Sequence, residues 1–274
     1  MDNRSYTRAK PENTMTTAQT VPDLLNALCI LVREAGKVVM AIYATDFSVR
    51  GKDDASPVTA ADEQAEKVIL AGLVQLTPDI PVVAEEAVAA GKLPVVADRF
   101  WLVDPLDGTK EFISRNGEFT VNIALIENGA PVLGVVLAPA LGPQGRLYLG
   151  AVGVGAWLED AAGRRAITCR TVPADGLTVV ASRSHGDVAA LAAFLAGRKV
   201  ASTTHAGSSL KLCLVAAGEA DLYPRLGRTM EWDIAAGHAV LAAAGGDVRT
   251  VSGGATLRYG KVGFENPHFV AIGC

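Results

Sequence analysis

The amino-acid sequence predicts a layered α/β fold built on mixed and largely antiparallel sheets, and three features carry that expectation. Two helical stretches with apolar residues at steps of three and four open the chain. A series of apolar, strand-like runs begins at Phe100. From Leu177 onward, strands and helices alternate. Helices and antiparallel strands followed by an alternating half pack as stacked layers of sheet and helix.

Taken in order, residues 22–44 place Leu24, Leu28, Leu31, Ala35, Val38 and Ile42 on one helical stripe, with Pro22 tolerated in the first turn. Residues 51–58 read as a polar loop. Thr59 then opens a second helix whose inward residues are Ala65, Val68, Ile69, Gly72, Leu73 and Leu76, and Thr77-Pro78-Asp79 ends it. Residues 80–84 form a short apolar strand running into Glu85-Glu86. Strands are expected at 100–103, 119–126 and 131–138, the last two joined by a hairpin turn at Glu127-Asn128-Gly129-Ala130. Further strands at 146–149 and 154–158 extend a large antiparallel sheet. The second half reads as strand 177–181, helix 187–196, strand 199–203, helix 208–217, strand 220–223, helix 233–244 and a last strand near 268–272.

The 274 residues are half hydrophobic and one-fifth charged, enough apolar content to bury a core and to exclude general disorder. That length fits one large domain or two packed ones. Lys and Arg number 25 against 29 Asp and Glu, and neither half is strongly basic, which disfavours a binder of nucleic acid polymers. Cys29, Cys169, Cys213 and Cys274 form no C-x-x-C pair, so neither a zinc ribbon nor a secreted disulfide scaffold is expected. No stretch reaches the roughly 20 apolar residues of an integral membrane segment. Residues 1–20 lack the apolar core of a signal peptide and read as a flexible tail, with Met15 an alternative start. Residues 21–274 then make the folded domain: a helix pair and large sheet over about 21–170, and an α/β subdomain over 171–274. A soluble cytoplasmic protein is the expectation.

Several chemistries are absent from the sequence. There is no G-x-x-x-x-G-K-[ST] phosphate loop, no G-x-S-x-G elbow and no H-E-x-x-H pair. Gly150, Gly153 and Gly155 read as turn glycines. The informative segment is Trp101-Leu102-Val103-Asp104-Pro105-Leu106-Asp107-Gly108-Thr109. An apolar strand delivers Asp104, and Pro105 turns the chain so that Asp107 can come round to the same side. Two carboxylates so placed repel unless a cation lies between them. Gly108 clears space for a ligand or a backbone. The same residues also suit an ordinary acidic turn. Glu85 and Glu86 end a strand, where active-site loops collect or where a solvated loop would serve. Asp62, three residues after Thr59, fits a capping box, and Asp233 fits a helix cap. Each acid has a plain structural explanation; their combination points to metal chemistry.

Asp104-Pro105-Leu106-Asp107-Gly108-Thr109, Glu231-Trp232-Asp233-Ile234-Ala235-Ala236-Gly237, Glu85-Glu86 and Ser56-Pro57-Val58-Thr59 leading to Asp62 together resemble the signatures of the inositol monophosphatase superfamily. Residues 104–122, Ser182-Arg183-Ser184-His185, Gly207-Ser208-Ser209-Leu210-Lys211 and Leu222-Tyr223-Pro224-Arg225 are similar to its CysQ-type 3'(2'),5'-bisphosphate nucleotidase branch. The resemblance implies an αβαβα sandwich and Mg²⁺-dependent conversion of adenosine 3',5'-bisphosphate to AMP, linked to sulfate assimilation. It implies one Mg²⁺ held by Glu85, Asp104 and the Leu106 carbonyl, and a second held by Asp104, Asp107 and Asp233, with room for a third near Glu85 and Asp62. Asp62, Glu85 and Thr109 would carry the catalysis. Glu85, Leu106, Asp107, Gly108, Thr109 and Asp233 would also meet the substrate.

For the second phosphate the candidates are Arg183, Ser209, Lys211 and Arg225, although surface solvation explains most Lys and Arg side chains. Lys110, Arg115 and His185 are open in the same way, and His238 suits a local hydrogen bond. The implied partner is a small nucleotide, the implied assembly a monomer or homodimer, and relatives of the branch have been associated peripherally with the cytoplasmic face of the inner membrane. A phosphatase of the same fold acting on inositol or sugar phosphates is the nearest rival, and a non-catalytic metal or nucleotide sensor a more distant one.

Overall fold

The computed structural model describes residues 20–51, 57–183 and 188–274. The expected tail at 1–19, Ser56, Ser184 and His185 therefore lie outside the described residues. Thr20 caps helix α1 (Val21–Tyr43): its hydroxyl accepts the Asp23 N–H at 3.3 Å, with Pro22 in the first turn. The buried stripe is broader than the spacing predicts. Leu25, Val32 and Val39 join Leu24, Leu28, Leu31 and Ala35, while Val38 and Ile42 are only half-buried.

A short antiparallel pair, β1 (Val49–Gly51) and β2 (Pro57–Thr59), overlaps both ends of the expected polar loop at 51–58, whose residues 52–56 lie outside the described residues. Strands of three residues are too short to show an alternation in sequence. Helix α2 (Ala60–Leu76) starts where Thr59 predicts. Thr59 Oγ1 accepts the Ala61 N–H at 3.1 Å, and Asp62 Oδ2 accepts the Thr59 N–H at 2.8 Å.

Seven strands then form the large sheet in sequential order. They are β3 (Val82–Ala84), β4 (Arg99–Asp107), β5 (Thr120–Glu127), β6 (Ala130–Ala138), β7 (Arg146–Ala151), β8 (Gly155–Asp160) and β9 (Gly163–Ile167). Strand β3 runs parallel to β4, and every other neighbouring pair is antiparallel. Two short helices interrupt the strands, α3 (Glu85–Ala89) after β3 and α4 (Thr109–Ile113) after β4. The β5–β6 turn is the hairpin predicted: Asn128 and Gly129 take φ of 49° and 71°, the left-handed pair that a two-residue turn requires. Leu133, Val135 and Leu137 of β6 face α1 and α2, and Val136 and Ala138 face the opposite core. Burial on both faces is why β5 and β6 read as continuous apolar runs.

The second half supplies β10 (Leu177–Ser182), α5 (Val188–Leu195), β11 (Val200–Ala206), α6 (Leu210–Ala216), β12 (Leu222–Arg225), α7 (Glu231–Ala243), β13 (Asp247–Thr250) and β14 (Phe269–Ile272). Their sheet order is β11-β10-β12-β14-β13, parallel across the first three strands. The steps β10→β11 and β11→β12 run in opposite directions across that sheet. With right-handed crossovers, α5 and α6 therefore cover opposite faces. Helix α6 packs on α7, and α7 packs on β5, β6 and β7. The layers are thus α1–α2, the large sheet, α6–α7, the small sheet and α5, the sandwich the sequence implies.

Helix α7 is apolar on nearly all sides because it is enclosed by both sheets. A side chain on Gly134 would meet the Ala236 carbonyl at 2.5 Å, and one on Gly150 would meet Val240 Cα at 2.8 Å. Gly150 is therefore a packing position in a strand and not the turn glycine expected, whereas Gly153 and Gly155 do take positive φ. This close seating fixes where the N-terminal end of α7 emerges.

Candidate functional site

Strand β4 delivers two of the acids. Residues three apart on a regular strand face opposite sides. Pairing with β5 slips between Asp104, opposite Asn122, and Asp107, opposite Thr120, so three residues of β4 span two of β5. That irregularity brings Asp107 to bear on Asp104. The turn expected at Pro105 is thus a bulge, and the strand runs on to Asp107 where the sequence suggested an end at Val103. Asp104 Oδ1 accepts the Leu106 N–H at 3.0 Å.

Two other elements converge on Asp104. Glu85 lies in the first turn of α3, and the N–H of its neighbour Glu86 donates to Glu66 Oε2 at 2.8 Å, which ties α3 to α2. Asp233 is the third residue of α7, because the helix starts two residues before the expected start at Asp233, and its Oδ2 accepts the Met230 N–H at 2.8 Å. One carboxylate oxygen from each of Glu85, Asp104 and Asp233 lies within 4.8 Å of the others.

Burial, then the neighbouring charges of Glu85, Asp107 and Asp233, drives the Asp104 carboxyl well above the usual range. Burial, then Asp107 and Glu85, does the same to Asp233. Asp107 is raised to about 6, chiefly by burial, against the lowering pull of Lys211. Buried carboxylates at these separations repel, and a divalent cation among them reverses the penalty. The donors are all hard oxygens, so the set fits Mg²⁺.

Asp62 is 2 % exposed and divides its oxygens. Oδ2 takes the Thr59 N–H and hydroxyl, both at 2.8 Å, and Oδ1 lies 3.3 Å from Thr109 Oγ1. The cap and the site are therefore joint roles of one carboxylate, and the same holds for Asp233. The Thr109 hydroxyl also lies 3.3 Å from the Leu106 carbonyl, so its single proton has two acceptors. Gly108, at φ 88°, turns the chain from β4 into α4.

The acids open into a cleft of about 1220 Å³ whose walls include Glu66 and Lys67 of α2, α3, Thr109, Lys211, Arg225 and Asp233. Lys211 is 5 % exposed; its ammonium donates to the Ser208 carbonyl and stacks 5.4 Å over Tyr223. Burial lowers its pKa to about 8. Arg225 donates to the Arg228 carbonyl at 2.7 Å, while its buried Nε has no hydrogen-bond partner among the described residues.

Two candidates sit differently from the expectation. Ser209 turns away from the cleft: its hydroxyl donates to the Asp233 carbonyl and accepts from Asn122 at 3.2 Å. Ser208 lines the cleft instead, with a buried hydroxyl that has no partner among the described residues. Arg183 is held outside the cleft lining by Glu118, which takes Nε and Nη2 at 2.8 Å each. Lys110 lines the cleft, whereas Arg115 donates to the Tyr43 and Thr45 carbonyls at 2.6 Å. His238 meets Tyr259 Oη at 2.9 Å, the local bond expected.

Sequence reasoning passed over Glu66, Glu111 and Ser208. Glu66 carried a readable signal: it stands four residues after Asp62 on the same buried face as Ile69 and Leu73. Among the described residues no helix is long and apolar enough to cross a membrane.

The inositol monophosphatase family model matches residues 21–270. The 3'(2'),5'-bisphosphate nucleotidase CysQ of Salmonella typhimurium is 51 % identical over 249 residues, covering 90 % of this chain and 98 % of that protein. Crystal-structure CysQ from Bacteroides thetaiotaomicron, described as a bacterial member of the inositol monophosphatase family, superposes with a TM-score of 0.75 at 37 % identity, covering 92 % of this chain and 98 % of that one. An IMPase from Thermotoga maritima gives a TM-score of 0.75 at 27 % identity, covering 91 % and 92 %.

Proposed function

Because the chain belongs to the inositol monophosphatase family, we propose that it is a Mg²⁺-dependent 3'(2'),5'-bisphosphate nucleotidase converting adenosine 3',5'-bisphosphate to AMP and phosphate. The observation that carries the reading is the convergence of Glu85, Asp104 and Asp233 beside a buried Lys211 in one cleft. Acids alone suit any phosphomonoester. A buried ammonium in the same cleft suits a substrate with a second phosphate. Half-identity to nucleotidases over nine-tenths of the chain supports the same choice.

Glu85, Asp104, Asp107, Asp233 and the Leu106 carbonyl would hold two Mg²⁺ ions, with Asp104 shared and room for a third near Asp62. When bound, the metal supplies neutralising charge and lowers the pKa of a water ligand. The chain's own groups orient and deprotonate the attacking water. Thr109, donating its proton to Asp62 Oδ1, offers a lone pair to one proton of that water. Thr109 and Asp62 together position that water, and Glu85 helps to accept the proton released. The phosphoryl group passes directly to water, and no covalent enzyme intermediate is needed. The N-terminal end of α7 adds a favourable dipole toward the phosphate oxygens. Lys211 and Arg225 steady the 5'-phosphate. Such a reaction recycles the nucleotide by-product of sulfate assimilation.

The test compares phosphate release from adenosine 3',5'-bisphosphate and from inositol 1-phosphate, each with Mg²⁺ and with a chelator. The proposal expects metal-dependent release with clear preference for the nucleotide. Preference for inositol 1-phosphate would transfer the reading to the inositol phosphatases, and no turnover of either would favour a sensor.

A further inference from the structure

Two of the four thiols that the proposed chemistry leaves unused, Cys169 and Cys274, meet at the far end of α7. Cys169 lies in the segment entering the second half of the chain, and its N–H donates to the Ala244 carbonyl at 2.9 Å. Cys274 follows β14, and its thiol donates to the next carbonyl, that of Gly245, at 3.7 Å. The two cysteines thus grip consecutive residues at the helix end. Gly273, the residue before Cys274, packs beside Cys169: a side-chain carbon there would stand in ordinary contact, 3.6 Å from Cys169 Cβ. Both are free thiols, one buried and one exposed.

We infer that Cys169 and Cys274 form an oxidation site, which a peroxide converts to an intramolecular disulfide. Exposed Cys274 is the thiol that a peroxide can reach. Its sulfur attacks one oxygen of hydrogen peroxide, forming a sulfenic acid and releasing water. The Cys169 sulfur then displaces hydroxide from that sulfenic sulfur; the S–S bond forms, and the Cys169 proton leaves with the hydroxide as a second water. In total two thiols and one hydrogen peroxide give one disulfide and two waters. Burial, followed by the proximity of Cys274, raises the Cys169 thiol to about 12, which keeps it from initiating the oxidation. Anchored on the adjacent carbonyls of Ala244 and Gly245, the two residues stay beside one another.

The remaining cysteines are poorly placed to compete. Cys213 is fully buried in the core, and Cys29 is buried beside Arg164. The bond would close residues 169–274 into a covalent ring that carries Lys211, Arg225 and Asp233.

The experiment exposes the folded full-length protein to hydrogen peroxide, blocks remaining thiols under denaturing conditions, and maps the products by intact mass and non-reducing peptide analysis. The inference expects a loss of about 2 Da per chain, a peptide pair joining Cys169 to Cys274, and reversal by dithiothreitol. In Cys274→Ser the mass loss should vanish and Cys169 should stay reduced. Four unmodified thiols in the treated wild type would overturn the inference, as would oxygen addition on Cys274 without a cross-link, or a cross-link through Cys29 or Cys213. Because the wild-type map alone decides between these outcomes, failure of the variant to fold does not rescue the claim.

Discussion

Thr109 Oγ1 stands 3.3 Å from Asp62 Oδ1, across 47 residues of chain, and links the first turn of α2 to the first residue of α4. Asp62 is held there because its other oxygen is occupied by Thr59. Thr109→Val should therefore reduce kcat roughly 10²-fold or more while KM for the nucleotide changes little, since the group lost orients the attacking water. Thr109→Ser should recover most of the rate. Steady-state kinetics of the two variants check this; a wild-type kcat in Thr109→Val would remove the residue from the chemistry.

Lys211 lines the cleft with its ammonium over the Tyr223 ring and lies near Asp107. A charge-assisted contact to the second phosphate contributes about 1.5–3 kcal/mol. Lys211→Met should accordingly raise KM for adenosine 3',5'-bisphosphate roughly 10- to 100-fold, yet leave turnover of adenosine 3'-monophosphate nearly unaltered. An equal loss for both nucleotides would assign Lys211 to the fold or to the scissile phosphate.

Gly134→Ala tests how far the site depends on the seating of α7. The added carbon would fall 2.5 Å from the Ala236 carbonyl, so helix or strand must shift. Overpacking of this kind costs about 1–3 kcal/mol, and the shift should carry Asp233 with it. Urea unfolding should show the destabilisation, and kcat should fall with it. Unchanged stability would mean that the helix has slack at this position.

Those three predictions rest on features that differ in how openly the sequence shows them. The β5–β6 hairpin was readable because Asn128-Gly129 forces one turn geometry. The acids of the site were readable as residues and the resemblance implied their meeting, but the geometry of that meeting was not readable, because it depends on a bulge at Pro105-Leu106 and on the seating of α7. Strand β9 escaped because four of its five residues are exposed and two of those are arginine. Helices α3 and α4 are one turn long, too short for a period to appear. Ser208 and Ser209 are adjacent in sequence, and only the left-handed backbone at Ser208, φ 43°, decides which hydroxyl faces the cleft. Arg183 looked available because its partner Glu118 is 65 residues away.

Asp221 provides a check away from the site. Its carboxylate takes Arg170 Nε at 2.8 Å and Nη2 at 3.0 Å, and the Thr178 N–H at 2.7 Å. Arg170 chiefly holds the Asp221 pKa below its ordinary value of 3.8. A depressed folded-state pKa stabilises the protein above the unfolded value, and the benefit disappears as pH falls through the folded value. Asp221→Asn should be less stable than wild type at pH 7 by about 1–3 kcal/mol. The gap should close below pH 3.8. Denaturation at several pH values measures it, and a gap that widens in acid would contradict the assignment.

The most direct test of the metal assignment is an equilibrium titration of the metal-stripped protein with Mn²⁺, a paramagnetic stand-in for Mg²⁺, followed by electron paramagnetic resonance. The account predicts two bound ions per wild-type chain, with Asp104→Asn losing both while its circular dichroism stays native, because Asp104 is shared between the two sites. A folded wild-type chain that binds no Mn²⁺, or an Asp104→Asn chain that binds it as wild type does, would contradict the account.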